Sequence, residues 1–97
     1  MRVVETFIPG LLIVEPDIFE DSRGYFFETY NEERYKKAGI KSVFVQDNES
    51  KSVKGTVRGL HYQLAPFAQS KLVRVIQGRV YDVAADLRKG SPTFGRW

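Results

Sequence analysis

The sequence predicts an all-β domain, of barrel or sandwich type, that carries one short helix. Three observations predict it. Short runs rich in β-branched and aromatic residues recur along the chain, separated by glycine, proline and aspartate turn signals. Only one stretch, about residues 31–38, has helical signals at both ends. The length of 97 residues holds one domain, taken as 1–97.

Each element follows from its residues. "VVETF" (3–7) and "LLIVEPDIFED" (11–21) read as short strands, broken at Pro9–Gly10 and at Pro16. "DSRG" (21–24) is a turn, since Asp, Ser and Gly all favour one. "YFFETY" (25–30) reads as strand. In "NEERYKKAG" (31–39), Asn31 caps a helix and Glu32 and Glu33 oppose its N-terminal dipole. Lys36 and Lys37 suit its other end, and Gly39 terminates it. Four more strand-like runs follow: "SVFVQDNES" (42–50), "VKGTVRGLHYQ" (53–63), "KLVRVIQ" (71–77) and "RVYDVAADLR" (79–88). Gly78 marks a hairpin turn between the last two, and "RKGSPTFG" (88–95) is a turn-rich close.

Composition excludes several classes. A hydrophobic share of 42% and a charged share of 28% fit a globular protein. The aromatic share of 13% suits a β-heavy core or stacking surfaces. The absence of cysteine excludes a disulfide framework and a cysteine zinc site. "MRVVETFIPG" has neither the pattern of a signal peptide nor that of a membrane span, so the sequence predicts a cytoplasmic protein with no membrane partner. The net charge of +3 suits a small anionic ligand and does not argue for nucleic acid. A domain this small buries a modest core and is expected to lean on an oligomer.

His61 is the only histidine, and it lies in a strand-like run with Arg58 and Gln63. A regular strand sends Arg58 and His61 to opposite faces. Gly59 between them signals a bulge, which would let the two share one cavity. Taken singly, each candidate has an ordinary reading. A lone histidine is a satisfied side chain, Lys71 a solvated strand-end lysine, Arg23 and Arg58 surface charges. Glu28 pairs with a lysine, and Gln46–Asn48 is a strand end entering a loop. Asp82 and Asp86 are expected to make structural hydrogen bonds, with Asp82 a weaker candidate for tuning His61 or Lys71. Of Phe26 and Phe27, one is expected in the core and one exposed.

Taken together, the motifs point elsewhere. "GTVRGLHYQLAPFAQSKLVRVIQGRVYDVAADLRKGSPTFGRW" closely resembles the dTDP-4-dehydrorhamnose 3,5-epimerase family, cofactor-free cupins of sugar-nucleotide metabolism. "DSRGYFFETYNEERY" and "VQDNESKS" resemble that family's earlier motifs. The resemblance implies a cupin-type antiparallel β-barrel or jelly roll. The family's proteins are about twice as long, so the chain is expected to be an N-terminal half. By the resemblance His61 is the general base, and Lys71 stabilises negative charge on the substrate oxygen. Arg58, Arg23 and Glu28 bind substrate, and Gln46, Asp47 and Asn48 contact the nucleotide sugar. The "RGYFFE" segment enters a neighbouring subunit's site in the family, implying a homodimer with N-terminal strand exchange. The family's tyrosine acid, and the carboxylate that orients its histidine, lie beyond residue 97.

Metal-binding cupins place a second histidine two residues after the first, then a glutamate. Here Gln63 holds the first of those places, and Lys71 stands near the other. One imidazole beside an ammonium is a poor metal site, so no metal and no cofactor are expected. The chemistry implied is inversion at C3 and C5 of dTDP-4-dehydro-6-deoxy-D-glucose, giving dTDP-4-dehydro-L-rhamnose. Both carbons flank the C4 ketone, so one base and one oxyanion site serve both centres. Three other readings remain open: an epimerase of one centre, a non-catalytic sugar-nucleotide-binding cupin, and a basic aromatic barrel for single-stranded nucleic acid. The last is disfavoured, because acidic residues are interspersed among the basic ones.

Overall fold

The computed structural model describes all 97 residues. Its regular elements are β1 (Arg2–Glu5), β2 (Leu12–Glu15), β3 (Phe19–Asp21), β4 (Gly24–Phe26) and one helix, α1 (Glu32–Lys37). β1 and β2 pair antiparallel, with Arg2 opposite Glu15 and Val4 opposite Ile13. The turn between them uses Pro9 and Gly10 as expected. Leu11 N donates to Ile8 O at 3.0 Å, and Gly10 takes φ +84°, the value a type II turn needs at its third residue. Arg2 Nε donates to Glu15 at 2.6 Å across the open end of the hairpin.

β3 and β4 form a second antiparallel hairpin, with Asp21 opposite Gly24. Its two-residue loop, Ser22–Arg23, is held by Asp21, whose carboxylate accepts from Arg23 N at 2.8 Å. This is the Asx geometry that makes aspartate a turn residue. Asn31 caps α1 by accepting from Arg34 N at 3.0 Å. Glu32 and Lys36 pair one turn apart at 2.5 Å. Tyr35 is buried at the centre of the helix, its hydroxyl donating to Thr29 O at 3.2 Å. Tyr30 meets both Tyr35 and Phe44 edge to face, with centroids 4.9 and 5.4 Å away. Burial pushes the Tyr35 phenol up.

Beyond the helix the expectation and the structure part. Residues 41–52, 57–63 and 68–85 form no strand ladder and make no backbone–backbone hydrogen bond. Gly78 sits at a bend with φ +88°, yet the runs on either side of it do not pair. The reason is physical. A strand is stable only when a neighbour takes its N–H and C=O groups. The alternation in these runs encodes a surface to be covered, and nothing within the chain covers it. The barrel is therefore not closed by these residues.

Order returns at residues 86–96. Asp86 is buried, and its carboxylate accepts from Arg88 Nε at 2.8 Å, Arg88 Nη2 at 2.9 Å, Ser91 Oγ at 2.6 Å and Thr93 Oγ1 at 2.7 Å. Its backbone closes the loop: Asp86 N donates to Arg96 O and Gly95 N to Asp86 O. The structural role expected for Asp86 is thus seen. The Arg88 guanidinium, followed by the Ser91 and Thr93 hydroxyls, holds its carboxyl well below the usual carboxylate range. A depressed folded value means that the contribution of Asp86 is full above the unfolded pKa, about 3.9, and fades only as pH falls toward the folded value. Carboxyl ¹³C shifts should show Asp86 still ionised at a pH where exposed aspartates are protonated. Titration of Asp86 alongside them would contradict this account.

This loop packs against the first hairpin. Ile8–Leu11 and Ala84–Arg88 line one cleft of about 260 Å³, and the Arg96 guanidinium lies 5.2 Å over the Phe7 ring.

Candidate functional site

The candidate residues lie on four segments. Arg23 occupies the β3–β4 turn, and its Nη2 donates to Asp21 at 2.6 Å. The pairing pushes the Asp21 carboxyl down and the Arg23 guanidinium up. Arg23 also lines an open concavity of about 490 Å³ on the hairpin, together with Phe19, Tyr25 and Phe26. Phe26 is exposed and Phe27 is half-buried, so the expected division holds in direction. Glu28, just past β4, lies 3.5 Å from Arg34 of α1. Its partner is an arginine, where the sequence suggested a lysine.

Gln46, Asp47 and Asn48 are exposed, and Gln46 Nε2 donates to Asn48 Oδ1 at 3.3 Å. Arg58 and His61 are both exposed. Arg58 Nε donates to Ser52 Oγ at 3.0 Å, and no hydrogen bond joins it to His61. Residues 57–63 form no strand, so the bulge expected at Gly59 is not seen; Gly59 itself takes φ +124°. A Cβ built on Gly59 would stand 3.5 Å from His61 Nδ1. A side chain there would strain the backbone that sets the imidazole's position. Asp82 is exposed and makes no side-chain hydrogen bond to His61 or Lys71.

Lys71 is exposed, but its segment is tied at two points. Ser70 Oγ and Ser42 Oγ are 2.9 Å apart. The Arg74 guanidinium lies 5.8 Å over the Phe27 ring, which in turn stacks on Tyr25 with centroids 5.8 Å apart. The Lys71 segment therefore touches both the end of β4 next to Glu28 and the segment leading to Gln46–Asn48. His61 and Lys71 share no hydrogen bond or ion pair, and neither lines either concavity described above. Sequence reasoning did not single out Ser42, Ser70 or Arg74. Serines 28 residues apart carry no local signal of pairing. No three His, Cys, Asp or Glu side chains come together as metal ligands. No helix is long and apolar enough to cross a membrane.

Comparison with known proteins adds to this geometry. Residues 5–97 match the family profile described as dTDP-4-dehydrorhamnose 3,5-epimerase. A protein of that name from Shigella flexneri is 58% identical over the whole chain, which covers 54% of its length. One from Methanothermobacter thermautotrophicus is 52% identical over 99% of the chain and 51% of its own. The crystal structure of the Bacillus anthracis epimerase, with TDP and PPi bound, superposes with a TM-score of 0.93. It is 48% identical, covering 99% of this chain and 55% of that one. The epimerase from Elizabethkingia anophelis gives 0.88 at 52% identity, with 97% and 52% covered. The chain spans about half the length of the curated relatives it matches. At this identity the likeness places the chain in the all-β, cupin-type class, although its own barrel is open.

Proposed function

The chain belongs to the dTDP-4-dehydrorhamnose 3,5-epimerase family, and from that premise we propose that the protein inverts C3 and C5 of dTDP-4-dehydro-6-deoxy-D-glucose to give dTDP-4-dehydro-L-rhamnose. The observation that carries the proposal is an overall identity of 58% to a protein of that name, over a match that spans the entire chain. In this reading His61 takes the proton from C3 and from C5 in separate rounds. The electron pair of each broken C–H bond moves onto the C4 carbonyl oxygen. The Lys71 ammonium faces the enolate so formed, where a preorganised cation acts most strongly. A proton then returns to the opposite face from an acid outside residues 1–97. Arg23, Glu28, Gln46, Asp47, Asn48 and Arg58 hold the nucleotide sugar. Arg23 and Arg58 bear the charge that suits a diphosphate. No step of this chemistry calls for a redox cofactor.

The reading includes a homodimer in which the "YFFETY" segment, strand only as far as Phe26, crosses to the partner, carrying Arg23 and Glu28 into its cavity. What supports this is exposure: Tyr25 is 69% and Phe26 72% accessible on a short hairpin with no cover in one chain. A stable monomer in sedimentation, at activity-assay concentration, would remove the dimer from the proposal. The reading also places the protein in the cytoplasm, which cell fractionation checks.

The test is solvent exchange. The complete protein is incubated with the nucleotide sugar in deuterated water, and the sugar is followed by NMR. Deuterium at both C3 and C5 is expected. Deuterium at one carbon alone would favour the one-centre epimerase. Tight binding without exchange would favour a non-catalytic binder. A separate expectation concerns metal. The purified protein should carry no stoichiometric transition metal and should keep its activity in chelator, because His61 has only Gln63 and Lys71 at the family-frame positions. One tightly bound zinc, iron or manganese per chain, with activity lost on chelation, would defeat that.

A further inference from the structure

Glu28 stands between two residues that are each pinned. On its N-terminal side, the Phe27 ring stacks on Tyr25 with centroids 5.8 Å apart, and the Arg74 guanidinium covers it at 5.8 Å. On its C-terminal side, Thr29 O accepts from the Tyr35 hydroxyl at 3.2 Å. Tyr35 is buried and meets Tyr30 edge to face. These contacts place the Glu28 backbone. The carboxylate itself makes no side-chain hydrogen bond, and its one ionic neighbour is Arg34, with Nε 3.5 Å from Oε1. Arg34 is fixed from the other direction. Its backbone N–H donates to the Asn31 cap at 3.0 Å, and its carbonyl accepts from Ala38 N at 3.0 Å. Glu32 and Lys36 of the same helix pair with each other, so neither competes for Arg34 or Glu28. Helix α1 thus presents a guanidinium to a carboxylate on the segment that leads into it.

We propose that Arg34 is a positioning residue for nucleotide-sugar binding. It holds the Glu28 carboxylate in place and offsets its charge, leaving the second carboxylate oxygen to accept from a hydroxyl or N–H of the ligand. The proposal rests on the reading of Glu28 as a residue that binds the nucleotide sugar. Two arguments carry it. The first is order. A glutamate side chain is rich in rotamers, and fixing it when the ligand arrives carries an entropic cost. Contact with a guanidinium on a capped helix reduces that freedom beforehand, and preorganisation of this kind strengthens binding. The second is charge. The ligand's diphosphate is anionic, and a carboxylate within about 10 Å of it repels it at ordinary salt. Arginine stays charged at every working pH. The pair is therefore neutral, and Glu28 can select by hydrogen bonding without that repulsion. Folding stability gives the contact no comparable role. The two side chains are 62% and 41% exposed, and exposed pairs contribute little to stability.

The test uses the complete protein and dTDP-glucose, which lacks the C4 ketone and so binds without reacting. Dissociation constants are measured by titration calorimetry. Arg34→Ala should weaken binding by roughly two- to fivefold, the scale of one exposed ion pair. Arg34→Lys keeps the charge and loses the planar guanidinium, so it should recover part of that loss. Two readouts separate positioning from a merely structural role. The Arg34→Ala effect should shrink as salt is raised to about 1 M, where the Debye length falls to about 3 Å. It should also largely vanish in a Glu28→Gln background, since Arg34 acts through that carboxylate. Under turnover, Arg34→Ala should raise KM and leave kcat near the parent value. Additive losses in the double variant, binding by Arg34→Ala equal to the parent's, or a loss explained by a lowered melting temperature would each overturn the proposal. If Glu28→Gln weakens binding and Arg34→Ala does not, the proposal falls and the reading of Glu28 stands. If the two variants couple while no sugar hydrogen exchanges with deuterated water, the pair stands and the epimerase reading falls.

Discussion

His61→Ala in the complete protein should abolish exchange of the substrate's C3 and C5 hydrogens with solvent. If His61 is the base, both centres lose it together, so exchange at the two carbons should fall in parallel. The loss expected of a missing general base is about 10²–10⁴-fold. Binding of the nucleotide sugar should be largely kept, because the residues assigned to hold it lie on other segments. Isothermal titration on the variant checks that half of the expectation, and a melting curve separates the effect from unfolding. His61 is exposed in the 97-residue chain, so its replacement leaves no cavity there. Exchange of both hydrogens at near the parent rate would remove His61 from the mechanism.

Lys71→Ala should also slow exchange severely, by about 10²–10³-fold in kcat, the range found when one oxyanion donor is deleted. The effect should fall on kcat more than on KM, because the charge that Lys71 faces exists only once the C–H bond has broken. Arg58→Ala should show the opposite weighting, with a raised KM and a modest change in kcat. Its partner here is the Ser52 hydroxyl, a neutral group that a diphosphate oxygen readily displaces. If both variants raise KM alone, Lys71 is a binding residue and the enolate is stabilised elsewhere.

The features legible in the sequence are those decided within a few residues. Pro9–Gly10 closes β1–β2, Asp21 holds the β3–β4 turn, and Asn31 opens α1. Each acts through a hydrogen bond or a φ preference that needs no distant partner. The ladders expected over 42–88 are missing for the complementary reason. Alternation states that a run has a face to bury, and it is silent on where the covering strand comes from. The site divides along the same line. Residue types and their order around His61 and Lys71 carry the family resemblance, and the profile match over 5–97 supports it. The bulge expected at Gly59 fails together with the strand it was to interrupt. That Arg58 turns to Ser52, or that Ser42 meets Ser70, depends on how distant segments cross, which no local pattern encodes.

The docking of the Asp86 loop on the first hairpin bears on how the chain reaches its fold. Ile8–Leu11 and Ala84–Arg88 share one cleft although most of the chain lies between them. Closing so long a loop carries an entropic cost before any contact offsets it, and topologies rich in such closures fold slowly. The two hairpins and α1, all closed locally, have no such delay. The Asp86 loop is itself local, assembled from Asp86 to Arg96 by its own hydrogen bonds. The contact between the two pieces is thus the non-local step. A substitution at Arg96, whose guanidinium covers Phe7, is placed to change the speed of that encounter while leaving the hairpins as quick to form as before.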